Sequence, residues 1–177
     1  ILEKYSYRLL DQDRLSENIL DSSDYLSEEI QLAFANAKIT ATNVAISIPV
    51  SSAIIRVVSS PLITEIELEK AIETDSLWEN LVQLGENLNE YSIFHQVIRK
   101  DSTSNMMDVL FVASKLSDVN AYIDIVTQSG LQPVVLDVKC FALRNAFETM
   151  NLPNINQKPM AILEVGSHEN LSLIHIW

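Results

Sequence analysis

Residues 44–48 (VAISI) form a nearly all-apolar run that is stopped by Pro49. A strand without polar alternation suits the middle of a parallel sheet, covered on both faces. Residues 133–138 (PVVLDV) are a second buried strand. Between and around them the apolar spacing switches between strand and helix periods, which makes this an α/β chain. Residues 53–59 (AIIRVVS) read as a strand broken at Pro61, and Thr64-x-x-Glu67 is a capping box that opens a helix through about Asp75. Leu77, Trp78, Leu81, Leu84 and Leu88 follow helical spacing, with Gly85 as a break. Residues 92–99 (SIFHQVIR) and 107–114 (MDVLFVAS) are strands joined by the polar turn 100–105 (KDSTSN). Ser117 or Asp118 caps a helix carrying Val119, Tyr122, Ile123 and Val126, and Gly130 fits its C′ position. The middle of the chain, about residues 51–131, is therefore β-α-β-β-α.

The flanks read as pieces of a larger sheet. Residues 1–10 mix β-branched and aromatic residues with charges, which predicts an edge strand. Asp21, Ser22, Ser23 and Asp24 offer N-caps to a helix with Leu26, Ile30, Ala33, Phe34 and Ala37 on one stripe. Residues 141–150 are a second helix, 151–159 a polar linker with two prolines, and 160–165 (MAILEV) a new strand followed by Gly166.

Composition excludes several functions. Asp and Glu outnumber Lys and Arg 24 to 12, a net charge of −12, and the cations are scattered singly. No basic stripe is available for nucleic acid or anionic lipid. The three glycines, Gly85, Gly130 and Gly166, build neither G-x-G-x-x-G nor G-x-x-x-x-G-K-[ST]. Cys140 stands alone, which excludes an internal disulfide and a Cys-based zinc site and suits a reducing compartment. No apolar run reaches the roughly 18 residues a membrane span needs, and no signal peptide is recognisable. The start at Ile1 predicts a fragment or a processed form.

Enzyme chemistry finds little support. His95 lies in a strand with no nearby Cys, and neither it nor His168 belongs to an H-x-x-x-H pair. Cys140 precedes an apolar helix face and reads as an inert thiol. Ser51-Ser52 lacks a G-x-S-x-G context, and Glu28-Glu29 reads as a solvated helix face. One element stands apart: residues 161–167 (AILEVGS) are an apolar strand ending in acidic-x-Gly. A strand-end carboxylate followed by glycine can hold a magnesium-bound water beside a nucleotide phosphate, although a plain β-turn has the same sequence.

The last residues, Leu171 to Trp177 (LSLIHIW), are expected to be foreign. Through Ile176 they match the in-frame translation of a transposon mosaic-end adapter, CTG TCT CTT ATA CAC ATC T, whose trailing T is compatible with the Trp177 codon. The alternative is a genuine apolar β-strand. Re-sequencing the locus by a transposon-free method separates the two. Residues 171–177 accordingly carry no weight in the functional reading.

The order of segments resembles the type IV pilus assembly protein PilM family, within the actin-like ATPases that include FtsA. The matching stretches are 44–61 (VAISIPVSSAIIRVVSSP), 63–75 (ITEIELEKAIETD), 91–100 (YSIFHQVIRK), 106–115 (MMDVLFVASK) and 129–147 (SGLQPVVLDVKCFALRNAF). Gly130-Leu131-Gln132-Pro133 through Ala142-Leu143 fits the family's G-L-x-P-x-x-V-D-V-x-x-x-A-L signature. The resemblance spans about residues 20–170. It implies an incomplete actin-like (ribonuclease H-like) lobe: 1–50 and 132–158 in subdomain 1A, 51–131 as an inserted subdomain 1C, and 159–170 opening the second lobe. It places the second phosphate loop on Glu164-Val165-Gly166, with Glu164 and Gly166 toward nucleotide. Glu164 replaces the usual Asp, which puts hydrolysis in doubt. A first, glycine-rich phosphate loop is expected before Ile1 and the adenine-binding segments after Asn170, so ATP and Mg²⁺ are expected to bind the full-length protein and not, tightly, this chain. Members of the family are cytoplasmic and dock the N-terminal tail of the bitopic membrane protein PilN between subdomains 1A and 1C, at the inner-membrane platform of the pilus. By that likeness the groove is expected near Pro49, Val50 and Ser51, with an acidic surface favouring a basic tail. An FtsA-like division protein, a type II secretion platform component and a kinase of the same fold are the alternatives.

Overall fold

The computed structural model describes residues 2–73, 88–149, 160–166 and 170–175. The segments read as a Leu-rich helix with a break at Gly85 and as a polar linker fall almost wholly outside these residues, as do His168 and Trp177.

Helix α1 (Ser23–Asn36) forms where the apolar stripe predicted it. Its N-cap Ser22 makes no cap bond; its Oγ instead accepts the Ser16 N–H at 2.8 Å, and the Tyr25 hydroxyl accepts the Asp11 N–H at 2.7 Å. The Arg8 guanidinium donates to the buried Glu29 carboxylate at 2.5 Å, and Arg14 sits 4.0 Å above the Tyr25 ring. That bond from Arg8, more than its charge, holds the Glu29 carboxyl below its usual range. The N-terminal segment is thus tied down by side chains, and residues 2–10 form no strand, contrary to the sequence expectation. Leu2, Tyr5, Tyr7 and Leu9 are all exposed: their segment has no ladder partner among the described residues, and strand residues need one.

Helix α1 ends in a Schellman turn. The Ile39 N–H bonds the Phe34 carbonyl at 2.9 Å and the Lys38 N–H bonds the Ala35 carbonyl at 3.0 Å. This forces Lys38 to φ +53°, a left-handed conformation that strains a residue with a Cβ. Lys38→Gly is expected to stabilise the chain by about 1 kcal/mol, read as a higher urea midpoint. The Lys4 bond to the Lys38 carbonyl involves backbone only at Lys38 and survives the change.

Strand β1 (Asn43–Ile48) pairs in parallel with β5 (Gln132–Val138), with Ile48 opposite Val138. The parallel pairing agrees with the sequence, but the cover is one-sided. Val44, Ile46 and Ile48 are partly or fully buried while Ala45 and Ser47 are exposed, and Val134 and Val135 are 56% and 53% exposed. Among the described residues this sheet has only these two strands, so the expectation of both faces covered fails for want of a second layer.

The second sheet has the order β2-β4-β3, all antiparallel: β2 (Ile54–Pro61), β3 (Tyr91–Asp101) and β4 (Met106–Lys115). Central β4 separates two cores. Met107, Val109, Phe111 and Ala113 face Val58, Tyr91 and Leu68, the last from helix α2 (Glu65–Glu73). Leu110 and Val112 face the other way, toward Ile48, Val138 and Cys140. Cover on both sides explains why Phe111 through Ser114 are all buried.

The predicted capping box is complete. The Thr64 N–H and hydroxyl each donate to the Glu67 carboxylate at 2.8 Å, and the Glu67 N–H returns to Thr64 Oγ1 at 3.3 Å. In the β3–β4 turn the Asp101 carboxylate accepts from the Thr103 N–H at 2.8 Å, the Ser104 N–H at 3.3 Å and the Ser104 hydroxyl at 2.8 Å. These bonds, led by those from Ser104 and Thr103, bring its pKa down from 3.8 to about 2. The depressed folded value means that Asp101 stabilises the fold fully above the unfolded pKa of 3.8 and loses this as pH falls through about 2. Acid should therefore lower the unfolding midpoint of the wild type between these values more than that of Asp101→Asn. Equal losses in the two proteins would contradict this account.

Helix α3 (Leu116–Gln128) starts one residue before the predicted caps, with Lys115 at the N-cap and no side-chain cap bond. Ser117 and Asp118 lie in its first turn, where the acidic side chain favours the helix dipole. Gly130, at φ +81°, closes it as predicted: its N–H bonds the Thr127 carbonyl at 2.9 Å and the Leu131 N–H bonds Val126 at 3.3 Å. Helix α4 (Lys139–Thr149) follows β5 without a loop. Strands β6 (Met160–Val165) and β7 (Asn170–His175) pair antiparallel with Glu164 opposite Leu171, so the C-terminal stretch adopts a strand. Leu171 and Leu173 pack against the core around Ile48.

Candidate functional site

Two sheets of different kinds leave a cleft between them. Its volume is about 410 Å³, the size of a small ligand pocket. β3 contributes Ser92, Phe94 and Gln96, and β4 contributes Leu110, Val112 and Ser114. The period of two along each strand is what turns these residues to one face. Val119 comes from α3, Leu136, Asp137 and Val138 from β5, and Phe141, Arg144 and Asn145 from α4. Seven of the lining side chains are aliphatic or aromatic; Ser92, Gln96 and Ser114 add polar groups on the β3–β4 wall, and the charged groups gather where β5 meets α4. There the Asp137 carboxylate accepts the Val138 N–H at 2.8 Å and the Asn145 side-chain N–H at 3.4 Å. Arg144 is paired with Glu148 one turn along at 2.9 Å. Burial pushes the Cys140 thiol above its usual pKa, which disfavours the thiolate a nucleophile needs.

Pro49, Val50 and Ser51 lie at the crossover from β1 to β2, in a short 3-10 turn where the Ser52 N–H bonds the Pro49 carbonyl at 3.1 Å. Val50 packs on the core around Ile48, Ser51 is exposed, and none of the three lines the cleft. The lining residues had a weaker sequence signal. Asp137 is the one charged residue in the apolar run PVVLDV, and Arg144 and Asn145 follow on the next helix.

Glu164 lies apart, on β6. One carboxylate oxygen meets the Lys139 ammonium at 2.8 Å, and the other is buried with no hydrogen-bond partner. Gly166 follows the strand and is exposed. Among the described residues no three acidic, His or Cys side chains gather around one point. A caged divalent cation does not fit here. A metal-bound water on the unsatisfied Glu164 oxygen does, since Mg²⁺ is held by one or two carboxylates with substrate phosphates and keeps its waters.

A family model for the type IV pilus assembly protein PilM matches residues 1–175. The chain belongs to the PilM family. Among solved structures, a PilM–PilN type IV pilus biogenesis complex is 20% identical with a TM-score of 0.75; the match covers 94% of this chain and 49% of that one. The cytoplasmic domain of EpsL, an inner membrane component of the type II secretion system of Vibrio cholerae, is 15% identical with a TM-score of 0.51, over 86% of this chain and 56% of that one. Among curated proteins none matches. The fold is the actin-like fold of PilM, and the chain spans about half the length of the solved PilM, part of a lobe. Among the described residues no helix is long and apolar enough to cross a membrane.

Proposed function

We propose that this PilM-family chain acts as a cytoplasmic adaptor that docks the N-terminal tail of a PilN-like membrane protein onto the inner-membrane platform of the pilus machine. The observation that carries this reading is the preformed cleft between the β2-β4-β3 sheet and the β5–α4 unit. On this reading the two units would be subdomains 1C and 1A. A trough of mixed apolar and polar walls, charged at one end, suits a short peptide, whose side chains set specificity. The solved complex of PilM with PilN supports the choice of partner. Pro49–Ser51 would act as the crossover that holds the two walls in register. The likeness to EpsL keeps a secretion-platform role as the second reading, with a lower TM-score of 0.51 against 0.75. Fluorescence anisotropy with a labelled tail peptide tests the proposal: saturable binding, competed by unlabelled peptide, is expected. A flat titration would remove tail docking.

The proposed nucleotide site is the strand end of β6. The unsatisfied Glu164 oxygen would orient a water on Mg²⁺, the Lys139 ammonium would face phosphate, and Gly166 would let the backbone approach it. Bound Mg²⁺ would neutralise phosphate charge. With one phosphate loop the chain is expected to bind ATP weakly, and the full-length product saturably, by calorimetry. Tight binding by this chain would contradict the assignment.

A further inference from the structure

β3 forms one wall of the cleft and is also an edge of its sheet among the described residues. An edge strand presents a row of main-chain N–H and C=O groups that can pair with another chain, and proteins usually blunt such edges with charge, proline or bulges. The two edges of this sheet differ in that respect. β2 carries Arg56 and ends at Pro61, which lacks an N–H. β3 from residue 91 to 97 (YSIFHQV) holds no Lys, Arg, Asp, Glu or Pro. Immediately beyond, a bulge between Val97 and Arg99 breaks the register, and Arg99 and Lys100 follow. A bulge twists the strand and interrupts its ladder. The unguarded part of the edge therefore coincides with the part that borders the cleft.

Side-chain direction agrees. Ser92, Phe94 and Gln96 turn into the cleft, while Tyr91, Ile93 and Val97 turn to the core under α2. A strand added to this edge would set every second side chain over the cleft, beside Phe94. Charge supplies the other half of the match. Of the two charged lining residues, Arg144 is neutralised by Glu148 one turn along, while among the described residues the Asp137 carboxylate accepts only from the Val138 N–H and the Asn145 amide, so the fitting occupant is cationic as well as apolar.

Resting on the docking reading above, we infer that the PilN-like tail is taken up by strand addition: an extended, apolar and basic peptide pairs its main chain with residues 91–97 of β3. Its apolar side chains fill the cleft between Phe94 and Phe141, and a basic one lies toward Asp137. This names the recognition mode and the peptide chemistry, and it makes the backbone itself a binding determinant.

The test is an N-methyl scan. The probe is a synthetic peptide copying roughly the first twelve residues of the PilN encoded in the same genome, with one backbone amide methylated at a time. In an added strand, successive residues point their N–H alternately at the neighbouring strand and away from it. Binding to the whole chain should weaken about tenfold or more at every second position and little at those between. A flat scan in a peptide that binds would overturn strand addition and leave tail docking standing. An unmodified peptide that does not bind would remove both. A parallel peptide with its Lys and Arg replaced by norleucine should bind about tenfold more weakly; unchanged affinity would overturn the basic requirement.

Discussion

Phe94→Arg is expected to weaken tail binding roughly a hundredfold, about 2.7 kcal/mol. Phe94 is 56% exposed on β3 and lies outside both buried cores, so its replacement leaves the fold in place. Its ring forms the apolar rim of the cleft, across from Leu136 and Phe141. A ring covered by ligand contributes about 2 kcal/mol through lost water contact. The introduced guanidinium also repels a cationic tail and stands near Arg144. Phe94→Ala, which removes the ring without adding charge, should cost less, about tenfold. Anisotropy titrations on the three proteins, with thermal melts as the folding control, read both effects. Wild-type affinity in a folded Phe94→Arg chain would place the tail elsewhere.

Phe111→Ala is expected to cost about 3–5 kcal/mol of stability. Phe111 is the largest of the fully buried side chains and sits in the middle of β4, between Arg56 on β2 and His95 on β3. Its ring fills the core that Val58, Leu68, Met107 and Val109 line. A central strand covered on both faces gives a cavity little room to collapse, which places the cost toward the upper end. A domain holds roughly 5–15 kcal/mol in total, so the change removes much of the margin. Urea unfolding should show a sharply lower midpoint. Val57→Ala, at a site 57% exposed on the next strand, should move it by about 0.5 kcal/mol or less. Equal shifts in the two variants would show that β4 is not the keystone of the core.

Local structure was legible in the sequence wherever one residue type has one physical use. The capping box at Thr64 and Glu67, the C′ glycine at Gly130 and the two strands joined by the polar turn at 100–105 all appear as predicted. Their geometry depends on neighbours within a few residues, so no tertiary information is needed. The failures fall where a partner decides. Residues 2–10 carry strand-like residues but have no ladder to join, and are held by Arg8 on Glu29 instead. The α3 cap moved to Lys115 because β4 runs straight into the helix and leaves no loop residue free to serve.

The candidate site divides in the same way. Glu164 and Gly166 were visible as a strand end followed by glycine, but the Lys139 ammonium was not, since it comes from the start of α4, across the fold in β6's neighbourhood. The cleft's walls are not the residues named from the crossover. Pro49 and Val50 mark where the chain passes from one sheet to the other; the cavity lies where Phe94, Leu110, Asp137 and Phe141 converge from four separate elements. By itself the sequence determined the capping box, the C′ glycine and the family signature, because these are short-range properties of the chain. Only the tertiary structure decided which faces stay open and which edge stays unpaired among the described residues, because those depend on what the rest of the fold covers.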